Sequence, residues 1–223
     1  MTLLTVQGRA TQHHPAERGT LRLQVKLVGA DRSAVLDQAT GLHGRLVAQA
    51  RSFAQDGSAT WWGSESVVAW SFVQWVKPHP DQEQVRVTRF RAGADLRVKF
   101  RDFGALSRWA ADAATLHGVE IAGVDWALTQ ARRDAVVREV RTAATQDAVE
   151  RARAYATALG HDDVHAVALY EQGLRPHVGG GDQAVTVGLR GAAAGSSAGS
   201  TGFEMRPEDI EVAASVTADF ETL

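Results

Sequence analysis

The sequence predicts an α+β fold in two lobes, each a mixed or antiparallel sheet packed with helices, and three observations carry that expectation. Apolar residues alternate with polar ones at Leu21, Leu23, Val25 and Leu27, and again at Ile210, Val212, Ala214, Val216, Ala218 and Phe220. That period of two belongs to strands with one buried face. Three other stretches repeat apolar residues at helical spacing instead. With 223 residues, 44% of them hydrophobic, the chain can build its own core.

Residues 2–10 read as a short strand, with His13-His14-Pro15 as the connection to the strand around Leu21–Leu27. After Gly29 the period lengthens, and Val35, Ala39, Leu42, Leu46, Ala50 and Phe53 mark a helix with Asp31 as N-cap and Gly57 as terminator. Residues 64–77 are rich in Val, Trp and Phe without alternation, which reads as a strand buried on both faces and ended by Pro78 and Pro80. A further strand sets Leu96, Val98 and Phe100 against Arg97, Lys99 and Arg101. A helix over 103–117 places Leu106, Trp109, Ala110, Ala113 and Leu116 on one side, and a strand follows over 119–126. The longest helix, 129–159, is expected to bury Val136, Val140, Ala143, Ala144, Ala148, Ala152, Tyr155 and Leu159, its alanines allowing close approach to a sheet. Asp134 with Arg138 and Asp147 with Arg151 have the spacing of helical ion pairs on the solvent side. A strand at 163–171 precedes a Gly-rich region with an alternating segment at Val185, Val187 and Leu189, and the last strand closes the chain.

Composition removes several classes of function. The chain has no cysteine, which excludes a disulfide framework, thiolate catalysis and Cys-ligated zinc. A formal net charge of −2 gives no global attraction to nucleic acid or anionic membrane. No stretch reaches the roughly 18 apolar residues of a membrane span, and the amino terminus lacks a basic and then apolar leader pattern, so a cytoplasmic protein is expected.

The segment from Ala144 to Gly160, with Ala144, Asp147, Ala148, Arg151, Ala152, Tyr155, Ala156, Leu159 and Gly160 at fixed spacing, resembles the signature of the SIMPL-domain family. Val6-Gln7-Gly8-Arg9-Ala10 is similar to that family's opening strand, Gly118–Val124 to the strand before its signature helix, and Arg206–Val216 to its closing strand, with Glu208 in place of the usual glycine. The resemblance implies a two-part protein whose chain ends form one lobe around a central insert, and a tendency to self-associate. Residues 1–63 and 129–223 are then the discontinuous terminal lobe holding the long helix 129–159. Residues 64–128 are the inserted β-α-β lobe, and 191–202 a flexible Gly/Ala/Ser loop. No catalytic residue and no cofactor come with the resemblance.

Candidate chemistry is sparse. Gly195-Ser196-Ser197-Ala198-Gly199 matches the nucleophile-elbow pattern, but no histidine follows Ser197 to serve as base. His161, Asp163 and His165, with His177 as a further ligand, are the only metal-like constellation and would support a metal-dependent hydrolase. They directly follow Gly160, without the fixed one-face spacing of a helical pair, and the expectation is no metal and no catalytic site. Gly179-Gly180-Gly181 lacks the Lys-Ser/Thr of a phosphate loop. Arg97, Lys99 and Arg101, within a run that also contains Arg86, Arg89 and Arg91, form a candidate basic surface, although nucleic acid is not the expected partner. Trp61 and Trp62 are expected in a loop, either as a contact for a protein partner or packed between the lobes. The expected function is non-enzymatic binding or scaffolding through homo-oligomerisation or protein contacts.

Overall fold

A computed structural model describes residues 1–77, 79, 83–171, 174–175 and 205–223. The segment 191–202, the Gly195–Gly199 pattern, Gly179–Gly181, His177 and the segment around Val185 lie outside the described residues. Among the described residues eleven elements follow one another: β1 (Leu3–Pro15), β2 (Arg18–Gly29), α1 (Arg32–Gln55), β3 (Ala59–Ser64), β4 (Val68–Val76), β5 (Val85–Phe100), α2 (Phe103–Ala114), β6 (Val119–Ala127), α3 (Gln130–Ala158), β7 (Val164–Glu171) and β8 (Asp209–Thr222). Both sheets are antiparallel in every pairing, so the α+β architecture is present.

The chain divides into two units. The terminal unit contains residues 1–16, 128–171 and 208–223, and the central unit contains 17–127. The division therefore falls at 16/17 rather than 63/64, and residues 17–63 belong to the insert. The reason is pairing: β2 lies between β5 and β6, and β3 pairs with β5, so neither can belong with β1.

In the terminal unit β8 runs between β1 and β7, and its register with β1 is unbroken from Leu3↔Glu221 to Pro15↔Asp209. The histidine pair and Pro15 are thus strand residues and not a connection. The partner strand supplies the ladder that local sequence does not advertise. Helix α3 covers one face of this sheet. Its buried residues are Val136, Val140, Ala144, Ala148, Ala152 and Ala156, a strict four-residue repeat. Tyr155 and Leu159, expected in that stripe, are exposed because the contact narrows to the alanine row at the helix end. Gly8 explains the alanines: a Cβ there would meet the Ala144 carbonyl oxygen and come within 2.6 Å of Ala148 N, so helix and strand approach backbone to backbone. Asp147 accepts the Arg9 N–H at 2.8 Å and the Arg151 side chain at 2.9 Å, tying down a backbone donor of edge strand β1. Both hydrogen bonds hold the Asp147 carboxyl below its ordinary range. Asp134 accepts from Gln130 at 2.8 Å.

The central unit orders its sheet β3-β5-β2-β6, with β4 pairing β5 on the edge beside β3. Leu21, Leu23, Val25, Leu96, Val98 and Phe100 point from β2 and β5 into a core completed by Leu42 and Leu46 of α1 and Leu106 and Trp109 of α2. Phe53, Phe100 and Trp109 meet with ring centroids 5.3–5.9 Å apart. Asp31 caps α1 by accepting the Ala34 N–H at 2.7 Å, and Gly57, at φ 80°, follows its end.

Candidate functional site

Strand β4 departs most from expectation. Residues 64–77 read as a strand buried on both faces, yet within Val68–Val76 no residue is buried. Trp70 is 45% exposed, Val73 42% and Trp75 62%. The register gives the cause. Strand β2 stops pairing with β5 at Gly29↔Phe90, while β4 and β5 continue together to Val76↔Val85. The outer half of this hairpin is a two-stranded ribbon with apolar side chains on both faces. Phe72, Val76, Val85 and Val87 share one face and Val73, Trp75 and Phe90 the other, because directly opposed residues lie on the same side.

Sharing the β5 row explains where the basic residues go. Ala92, Ala94, Leu96, Val98 and Phe100 face the helices, so Arg89, Arg91, Arg97 and Lys99 face away from them. Arg86 has the opposite parity, and Arg101 lies past the strand end, its guanidinium 3.1 Å from the position a Cβ on Gly57 would take. Of Arg97, Lys99 and Arg101, the structure therefore brings the first two together and sets the third apart.

Trp61 and Trp62 belong to β3, not to a loop, and a bulge between Ala59 and Trp61 sets their facing. Trp62 opposes Val98 and packs against the core, with the Arg51 guanidinium 5.9 Å over its ring. Trp61 opposes Lys99 on the other face and is half exposed. Its benzo ring lies over Gly63, which opposes Arg97; a Cβ on Gly63 would fall 2.7 Å from Cζ2 and Cη2. Trp61, Arg97 and Lys99 thus form one surface, a grouping that strand register alone creates. The two sequence signals were visible separately, but nothing local sets β3 against the end of β5.

A histidine that sequence reasoning did not single out makes the one nucleophile–base contact described. His43 of α1 places Nε2 2.6 Å from Ser64 Oγ of β3, and partial burial lowers its pKa below the ordinary histidine value. The Ser64 hydroxyl also donates to the Glu65 carbonyl at 3.2 Å. Among the described residues nothing hydrogen-bonds the other ring nitrogen, so no third group orients the imidazole as in a triad. The contact fastens α1 to β3.

The His161, Asp163 and His165 group does not converge. Asp163 is engaged by Arg153 Nε at 3.1 Å and by Val164 N at 2.8 Å, and these bonds lower its pKa. His165 stands opposite Glu221 in the β7–β8 ladder. Among the described residues no three His, Asp or Glu side chains come close enough to share a metal ion, and no helix is long and apolar enough to cross a membrane.

Comparison with known proteins adds the family. No curated protein matches the chain. The model of the SIMPL family, described as "Protein of unknown function (DUF541)", matches residues 4–220. That range holds Gly8 of the opening strand, the alanine row of α3 with Asp147, and nearly all of the closing strand β8. The chain belongs to the SIMPL family.

Proposed function

We propose that this protein is a non-enzymatic binding or scaffolding protein that acts through self-assembly, with the outer half of the β4–β5 hairpin as its contact. The observation that carries the reading is the two-sided apolar ribbon at Phe72–Val76 and Val85–Arg89. A lone two-stranded hairpin is at best marginally stable in water, and one with valine and an aromatic residue on both faces gains by being covered. A second copy supplies an equivalent apolar surface, and a closed symmetric contact buries both at once. The sequence between β4 and β5, Lys77-Pro78-His79-Pro80-Asp81-Gln82-Glu83-Gln84, is polar, which favours a protein contact along the ribbon over insertion into lipid. A cytoplasmic setting is part of the proposal, and recovery of the protein in an envelope fraction would overturn that part.

Light scattering coupled to gel filtration tests the assembly. The expected mass is a multiple of 23.9 kDa that falls toward the single-chain value when Val73 and Trp75 are both replaced by serine. A mass of one chain over a wide concentration range would remove self-assembly. An oligomer indifferent to the double substitution would reject the ribbon as its contact.

A further inference from the structure

The sheet face of the central unit that looks away from α1 and α2 carries two aromatic and cationic clusters. At one end Trp61 lies beside Arg97 and Lys99; at the other Trp70 and Phe72 oppose Arg91 and Arg89. Acids elsewhere on the face are matched: Arg22 pairs with Asp125 at 3.3 Å, and Lys26 with Glu120 at 2.5 Å. Arg89, Arg91, Arg97 and Lys99 form no ion pair among the described residues; the Arg91 guanidinium instead stacks 5.1 Å over Phe72. Asp95, and Glu65 whose N–H bonds to its carbonyl, interrupt the row at its middle.

We propose that this face binds single-stranded nucleic acid, with Trp61 and Trp70 stacking on bases and Arg91, Arg97 and Lys99 contacting phosphates. Three features select that occupant. The Trp61 benzo ring leans along the strand toward Gly63 and is half exposed, which leaves aromatic surface open to a planar group. Exposed aromatics interleaved with Arg and Lys on an open sheet are the combination that stacking plus phosphate neutralisation requires. The clusters flank Arg91 and Lys99, eight residues apart on β5 and so roughly 27 Å apart along an extended strand, a length suited to several unstacked nucleotides. An acidic protein segment would use the cations but not the ring faces, and a duplex keeps its bases stacked away from them. The face adjoins the outer ribbon at Phe72 and Arg89, but Trp61, Arg97 and Lys99 lie at the far end of β5 from it, so substitutions there test this proposal without touching the ribbon.

Fluorescence anisotropy with a labelled oligothymidylate and oligouridylate of about 12 nucleotides tests this. The expected result is binding whose log–log salt dependence has a slope of about −2, from about 0.7 for each of three phosphates. Trp61→Ala should weaken binding roughly tenfold while Trp61→Phe retains it, given the usual worth of stacking one base. Arg97→Gln with Lys99→Gln should flatten the slope by about 1.4. That second variant keeps the test decisive if Trp61→Ala fails to fold, as judged by circular dichroism. No binding at low salt would overturn the proposal. So would binding that polyglutamate displaces equally well and that Trp61→Ala leaves unchanged, since the face would then be a general anion surface. Light scattering on the same Arg97→Gln/Lys99→Gln sample should show unchanged assembly, which separates failure here from failure of the self-assembly reading.

Discussion

The β1–β8 pair and the outer half of the β4–β5 pair use the same antiparallel ladder, and the second is the richer in apolar residues, yet the first forms a core and the second a surface. In the first, Val6, Val216, Ala218 and Phe220 lie under α3 and are buried. In the second, Val73, Trp75 and Val85 have no helix over them at the outer end and stay exposed. Strand composition therefore does not decide burial. What decides it is whether a second layer reaches that stretch of ladder, and for α3 this depends on how closely Gly8 and the alanine row let helix and sheet approach.

That contrast breaks most sharply at the covered end. Ending the chain after Glu208 removes Ile210, Val212, Val216 and Phe220, each worth about 1.5–3 kcal/mol when fully buried, against a typical domain stability of about 5–15 kcal/mol. The terminal unit should lose its cooperative thermal transition in circular dichroism; an unchanged transition would show that β8 is not its central strand. Gly8→Ala should follow, with destabilisation of about 1–3 kcal/mol, because the added methyl meets backbone atoms of α3 that cannot rotate aside. Chemical denaturation reads this directly, and a neutral result would mean that α3 sits farther from β1.

The uncovered end should behave in the opposite way. Replacing Trp75 with serine should alter the stability of the single chain by no more than about 0.5 kcal/mol, since the indole packs into no core, and a loss of several kcal/mol would place it in one. The smallest effect is expected at Asp147. Its carboxyl is held below the ordinary value by the Arg9 N–H and then Arg151, so its stabilising contribution is complete above the unfolded value of 3.8 and is lost as pH falls through the lower folded value. The gap in thermal midpoint between the native chain and Asp147→Asn should accordingly be full at neutral pH and close in acid. A gap that persisted below that range would point to packing rather than charge.

The sequence by itself determined those features whose cause is local. The Asp31 cap, the stop at Gly57, the alternation of β8, the length of α3 and its alanine row all follow from spacing along one segment, and the motifs around Gly8 and α3 were enough to indicate the family. Tertiary structure alone decided that residues 17–63 join the central unit, that His13 and His14 continue a strand, that Tyr155 and Leu159 are exposed, and that β4 is uncovered. It also decided which way the two adjacent tryptophans face and that Trp61 meets Lys99 rather than Arg101. Each of these depends on a partner strand or helix far away in the chain. A strand's alternation fixes which residues share a side, but only register and the reach of the covering layer determine what that side meets.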